Sequence, residues 1–161
     1  NRIYSINETY IKTIDEKDLF NFFKEYVSKY KKPIDPAKES VLFKSISFLK
    51  NKAKTLEDIW NNAQYIINDK IEIGADDKKL IDDLSKKVIN DFINEFEKLS
   101  SPSREILEPV IKSLIDKHKT NFKGVGQPLR IALVGSRFGP GLYDVILSLD
   151  KAEVIKRLKS V

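Results

Sequence analysis

Apolar residues return every third or fourth position along almost the whole chain, and a chain patterned this way can gather them on one side only by winding into helices. In DEKDLFNFFKEYVSKY, Leu19, Phe22, Phe23, Tyr26 and Tyr30 fall at i, i+3, i+4, i+7 and i+11, which predicts a helix with these five on its core face. KKPIDPAKESVLFKSISFLKNKA opens a second helix at Asp35 and Pro36. The aspartate accepts backbone N–H bonds and the proline fits the first turn, with Leu42, Ile46 and Leu49 as the buried stripe. TLEDIWNNAQYII places Thr55 and Asp58 at capping-box spacing, ahead of Leu56, Ile59, Trp60, Ala63 and Ile67 on one side.

Beyond Gly74, DDKKLIDDLSKKVINDFINEFEKL carries Leu80, Leu84, Val88, Phe92 and Phe96 at four-residue intervals and predicts the longest helix of the chain. SSPSREILEPVIKSLIDKHKT starts afresh at Ser101 and Pro102, with Pro109 expected to kink or break it. DKAEVIKRLKSV closes as a short helix capped by Asp150, with Glu153 at the third position of its first turn. There is no internal repeat. Loop residues and a shift in charge coincide between Asn68 and Asp77, which divides the chain into two small helical lobes, residues 1–70 and 71–161.

The charge distribution narrows the choice of partner. Residues 1–67 hold 12 bases against 9 acids, residues 68–109 hold 7 against 11, and residues 110–161 hold 10 against 4. A basic carboxy-terminal segment suits a polyanion, because lysines and arginines near phosphates release condensed counterions. The dominance of lysine, 24 of the 29 bases, in a chain also rich in isoleucine and asparagine fits AT-rich coding equally well. No apolar run approaches the roughly 18 residues of a membrane span, so no membrane partner is expected. The chain has no cysteine, which excludes disulfides and thiolate metal sites and agrees with a cytoplasmic setting. It has no methionine either, and its opening NRIYSINETY has no basic start followed by an apolar stretch. A portion of a longer protein without a signal peptide is the expectation.

Five of the six glycines lie between Gly124 and Gly141, around QPLRIALVGSRFGPGLYDVI. Taken alone, LRIALVG reads as a buried strand running into a phosphate-binding loop. The loop chemistry is wrong for that role: a Walker loop needs Gly-Lys followed by Ser or Thr, and here Gly-Ser-Arg-Phe-Gly-Pro-Gly stands instead. A dinucleotide fold would need a further strand and an acidic ribose partner, for which the 20 residues after Gly141 are too few. No catalytic constellation emerges. His118 sits at a helix end where a cation favours the macrodipole, and no partner is implied for it. The pairs Asp76 with Asp77 and Asp82 with Asp83 are adjacent in sequence and do not converge on one metal, so a solvated face is expected. Trp60 belongs to an apolar stripe.

QPLRIALVGSRFGPGLYDVILSLDKAEVIKRL resembles the carboxy-terminal anticodon-binding region of bacterial-type glutamyl-tRNA synthetases, a class I group, with their Pro-Leu-Arg, Ala-Leu-Thr-Gly, Gly-Pro and closing Lys-Arg-Leu pattern. LKNKAKTLEDIWNNAQYI is similar to the family's Lys-Glu-Arg-x-x-Thr-Leu stretch, and NETYIK is a weaker third match. The resemblance implies an all-α fold of two helix cages clasping the anticodon loop of glutamate tRNA, and it makes LRIALVG a buried helix. It implies that Arg130 is the arginine of Pro-Leu-Arg, that Arg137, Gly139, Pro140 and Leu142 meet the last two anticodon bases, and that Lys52 stands where the family has an arginine for the wobble base. Val134 replaces the usual threonine. Lysine lacks the planar fork of arginine, so Lys52 is expected to hold the anticodon without choosing its wobble base strongly. ATP and magnesium are implied for a catalytic domain outside this chain, in a monomeric enzyme; the chain itself is expected to hold no catalytic residue, metal or cofactor. A helical protein-interaction module using the glycine-proline turns as an interface is the alternative from another class.

Overall fold

The computed structural model describes residues 8–161, and among them every regular element is an α-helix. The opening heptapeptide, in which no targeting segment was read and where the NETYIK match begins, lies outside the described residues. The chain divides into two compact units, Asn1–Lys70 and Ile71–Val161.

The first unit contains α1 (Glu8–Thr13), α2 (Glu16–Tyr30), α3 (Pro36–Leu49), α4 (Leu56–Asn62) and α5 (Gln64–Ile67). Local chemistry sets the starts of α3 and α4. The Ala37 N–H donates to Asp35 Oδ1 at 3.0 Å ahead of Pro36, and the Asp58 N–H donates to Thr55 Oγ1 at 3.1 Å. Asp58 returns a carboxylate oxygen to the Lys54 N–H at 2.9 Å, one residue before the position a capping box uses. Leu42, Ile46 and Leu49 are fully buried as their spacing predicts.

The face of α2 is rotated from its sequence reading: Leu19, Phe20, Phe23 and Val27 are buried, whereas Tyr30 is 51% exposed. Two overlapping stripes are available on this helix, and the core takes the purely apolar one. The phenolic groups stay at its rim, where Tyr26 donates to Glu57. Burial and that carboxylate push the Tyr26 phenol up to about 12. Trp60 likewise lies at the rim, half-buried, while Leu56, Ile59 and Ala63 fill the interior.

The second unit contains α6 (Ala75–Lys78), α7 (Asp83–Glu97), α8 (Arg104–Lys117), α9 (Phe122–Val134), α10 (Leu142–Ser148) and α11 (Lys151–Lys159). The long helix expected from Asp76 onward is interrupted. The chain turns after Lys78, and α7 starts where Asp82 accepts the Ser85 N–H at 2.8 Å, giving it 15 residues, the same as α2. Leu80 and Leu84 therefore leave the stripe and are exposed, while Val88, Ile89, Phe92, Ile93 and Phe96 are buried. Asp82 and Asp83 are exposed as expected, and Asp82 in addition caps α7. The next helix begins later than Ser101, with Ser103 accepting from the Ile106 N–H, and it runs through Pro109 without ending. Asp150 sits at the N-cap of α11 without a side-chain cap bond, and Glu153 pairs instead with Arg157 at 2.7 Å.

Helix α9 occupies the middle of this unit and packs against α7, α8, α10 and α11. Val125, Leu129, Ile131, Ala132 and Leu133 are all buried. LRIALVG is a run of almost wholly apolar residues too short to show whether its period is two or 3.6, which is why it imitates a buried strand.

Candidate functional site

The segment after α9 is built around a helix stop. Gly135 ends α9 in the left-handed region at φ 88°, with its N–H returned to the Ile131 carbonyl at 2.8 Å. A Cβ there would stand 2.6 Å from the Glu72 carbonyl oxygen, so glycine serves both the conformation and a close backbone approach. The chain next makes a short corner through Ser136, Arg137 and Phe138, passes Gly139 at φ 143°, and enters α10 through Pro140 and Gly141.

This corner does not cradle a phosphate. The Gly135, Arg137 and Phe138 amides donate inward, to Ile131 O, to Asp77 Oδ1 at 3.4 Å and to Ser136 Oγ at 3.1 Å respectively, and Pro140 has no N–H. A row of convergent amides is what an anion nest requires, and here three are already engaged. Among the described residues no group of three His, Cys, Asp or Glu side chains is placed to hold a metal ion.

The corner offers a different chemistry. Arg130, projecting from α9, is half-buried and donates from Nη1 to the Arg137 carbonyl at 3.2 Å, bracing the corner from beneath. Its Nε is buried without a hydrogen-bond partner, and burial draws its guanidinium pKa below the ordinary arginine value. Arg137 Nη1 lies 3.6 Å from Asp77 Oδ1, and its guanidinium carbon is 5.0 Å from the centre of the Phe138 ring. Phe138 itself is 70% exposed. Asp77, read from sequence as part of a solvated face, is thus tied to residues sixty positions away.

The structure gathers Arg130, Arg137, Gly139, Pro140 and Leu142 at this one corner. Their exposure divides them. Pro140 and Leu142 are buried, Leu142 to 2%, and contribute through packing and backbone direction. Arg137 is half-buried and Phe138 stands in solvent. Phe138 was not singled out from sequence, although an aromatic flanked by arginine and glycine in a turn has nowhere apolar to go and could have been found on that ground. Lys52 belongs to the first unit, exposed in the turn between α3 and α4. His118 does have a partner: its Nε2 lies 2.8 Å from Asp91 Oδ2, which Lys117 also reaches at 2.9 Å, and these contacts, Lys117 first, hold the Asp91 carboxyl below its usual range.

The family described as "Anticodon binding domain" matches residues 11–161. A glutamate–tRNA ligase of Pelagibacter ubique is 54% identical over 157 residues, 98% of this chain and 34% of that protein. One from Wigglesworthia glossinidia brevipalpis is 28% identical over 160 residues, 99% of this chain and 33% of the other. The chain therefore spans about a third of the length of these relatives. A solved glutamate tRNA ligase from Elizabethkingia meningosepticum superposes with a TM-score of 0.78 at 21% identity, over 96% of this chain and 30% of that one, which shows the shared all-α fold.

Proposed function

From the premise that the chain belongs to the anticodon binding domain family, we propose that it is the anticodon-reading portion of a glutamate–tRNA ligase, clasping the anticodon loop of glutamate tRNA. The observation that carries this reading is the Arg137–Phe138 corner, a half-buried guanidinium beside a 70% exposed aromatic ring, mounted on a buried helix. Sequence-specific RNA readers splay out unstacked bases and receive them on aromatic faces and arginine planes. Arg130 positions the corner through the Arg137 carbonyl, and Gly139, Pro140 and Leu142 set the direction in which it leaves. Lys52 supplies a point charge to the anticodon from the first unit. The 1–70 and 71–161 lobes are the two helix cages. Activation of glutamate with ATP and magnesium belongs to the rest of a longer, monomeric, cytoplasmic enzyme. Among the described residues no helix is long and apolar enough to cross a membrane.

Fluorescence anisotropy with glutamate tRNA and with transcripts altered only in the anticodon tests the proposal. The parent chain is expected to prefer the glutamate anticodon. Arg137→Ala and Phe138→Ala should each weaken that complex by about 1–3 kcal/mol, the range for a lost base contact, and narrow the preference. Equal affinity of the parent chain for every anticodon would refute the reading and favour the protein-interaction alternative.

A further inference from the structure

A second place suited to a nucleotide lies in the first unit. A cavity of about 520 Å³ opens between the loop preceding α3 and the α4–α5 segment, and every residue lining it belongs to that unit. Clefts of this size enclose small ligands, and a mixed lining of aromatic and polar groups fixes their orientation.

Three features of its wall converge. Trp60, half-buried, presents indole surface to the cavity. Beside it Gln64 donates from Nε2 to the Trp60 carbonyl at 2.9 Å and accepts on Oε1 from Asn68 Nδ2 at 3.0 Å. This ladder, at i, i+4 and i+8, holds two amides in fixed orientation next to the indole. The cations complete the wall. Lys31 lies over the Trp60 ring, 5.8 Å from its centre, and is anchored to Glu57 at 2.9 Å, and Lys38 is anchored to Asp69 at 2.6 Å. Lys32, exposed at the mouth, has no ion-pair partner among the described residues. The lining carboxylate, Asp35, is engaged with the Ala37 N–H of its own helix start.

We propose that this cavity receives one unpaired nucleotide of the bound RNA, its base against Trp60 and the Gln64–Asn68 amides and its phosphate on Lys32. Each group suits its part of that ligand. An indole face receives any base by stacking, side-chain amides match the donor and acceptor edge of a base, and a lysine without a carboxylate partner is available to a phosphate. The proposal rests on the tRNA-binding reading and extends it to a unit in which that reading names only Lys52.

The chain has a single tryptophan, so emission excited selectively at the indole reports this wall alone. Adenosine 5′-monophosphate should change Trp60 emission saturably, and adenosine or inorganic phosphate should do so far more weakly. Lys32→Glu should weaken the monophosphate response about fivefold or more, in keeping with a lost phosphate contact. In anisotropy with glutamate tRNA, Trp60→Phe and Lys32→Glu should each lower affinity while leaving the preference among anticodons intact, which separates this site from the Arg137 corner. A linear, unsaturable response to the monophosphate, or tRNA affinities of both variants equal to the parent while anticodon preference persists, would overturn the pocket and leave the anticodon reading standing. Absence of anticodon-dependent binding by the parent chain would overturn the reading beneath it.

Discussion

Replacing Gly135 with alanine perturbs the residue on which the Arg137 corner hinges, and the structure allows its cost to be worked out. At φ 88° an L-residue with a Cβ pays about 1–2 kcal/mol for the left-handed conformation alone. The added methyl would also stand 2.6 Å from the Glu72 carbonyl oxygen, which is backbone and has no rotamer through which to retreat. Shifting packed main chain to make room costs about a further 1–3 kcal/mol, for a total of about 2–5 kcal/mol. Gly139 gives a contrast: at φ 143° a Cβ would meet only Val134 Cγ2 at 3.8 Å, so Gly139→Ala should carry only the cost of its own glycine-favouring conformation, about 1–3 kcal/mol, without the overlap. Urea unfolding followed by two probes tests this. Trp60 emission reports the first unit, which holds the lone tryptophan, whereas far-ultraviolet circular dichroism reports both units. Gly135→Ala should move a dichroism transition to markedly lower urea and leave the Trp60 transition in place, and Gly139→Ala should shift the same transition less. Equal stability of Gly135→Ala and the parent, or a larger loss at Gly139, would refute the reasoning.

Three further outcomes are expected. Arg157, 5% exposed, joins Glu153 at 2.7 Å and the Leu133 carbonyl at 2.7 Å near the end of α9; Arg157→Leu leaves both acceptors without it and should destabilise the second unit by roughly 2–4 kcal/mol in the dichroism transition. The Asp91 carboxyl is held below its usual range by Lys117 and His118, so the stability it contributes is present above the unfolded-state value and lost as pH falls through its lower folded value. The second unit should accordingly weaken as the solution is acidified through the carboxylate range, and Asp91→Asn should flatten that slope, as midpoints measured from pH 6 down to pH 2 would show. Lys52→Ala should weaken tRNA binding similarly for either wobble pyrimidine and lower the salt slope, whereas Lys52→Arg should separate the two tRNAs, because a guanidinium can fork onto one base edge.

What the sequence settled by itself were features whose bonding partners lie within one helical turn. The Asp35 and Thr55 caps and the Leu42, Ile46 and Leu49 stripe follow from spacing alone, since an N-cap and its amide are two or three residues apart wherever the helix is placed. Spacing could not choose between two overlapping stripes on α2, because that choice depends on which side the neighbouring helices cover. Nor could it show that the period-four pattern through Leu80 and Leu84 is broken, as the turn before Asp82 competes with helix continuation and wins by capping α7. The strand-like LRIALVG is a helix that only the resemblance to a known family reveals, because an apolar run of seven residues is too short to distinguish a period of two from one of 3.6. The candidate corner shows the same division. Glycine and proline marked a place where the backbone turns, but the turn's direction depends on Arg130 reaching the Arg137 carbonyl and on Asp77 meeting Arg137 across sixty residues of chain. Contacts at that separation exist only once α9 is enclosed by α7, α8, α10 and α11, and this enclosure also keeps Leu142 inside and leaves Phe138 in solvent.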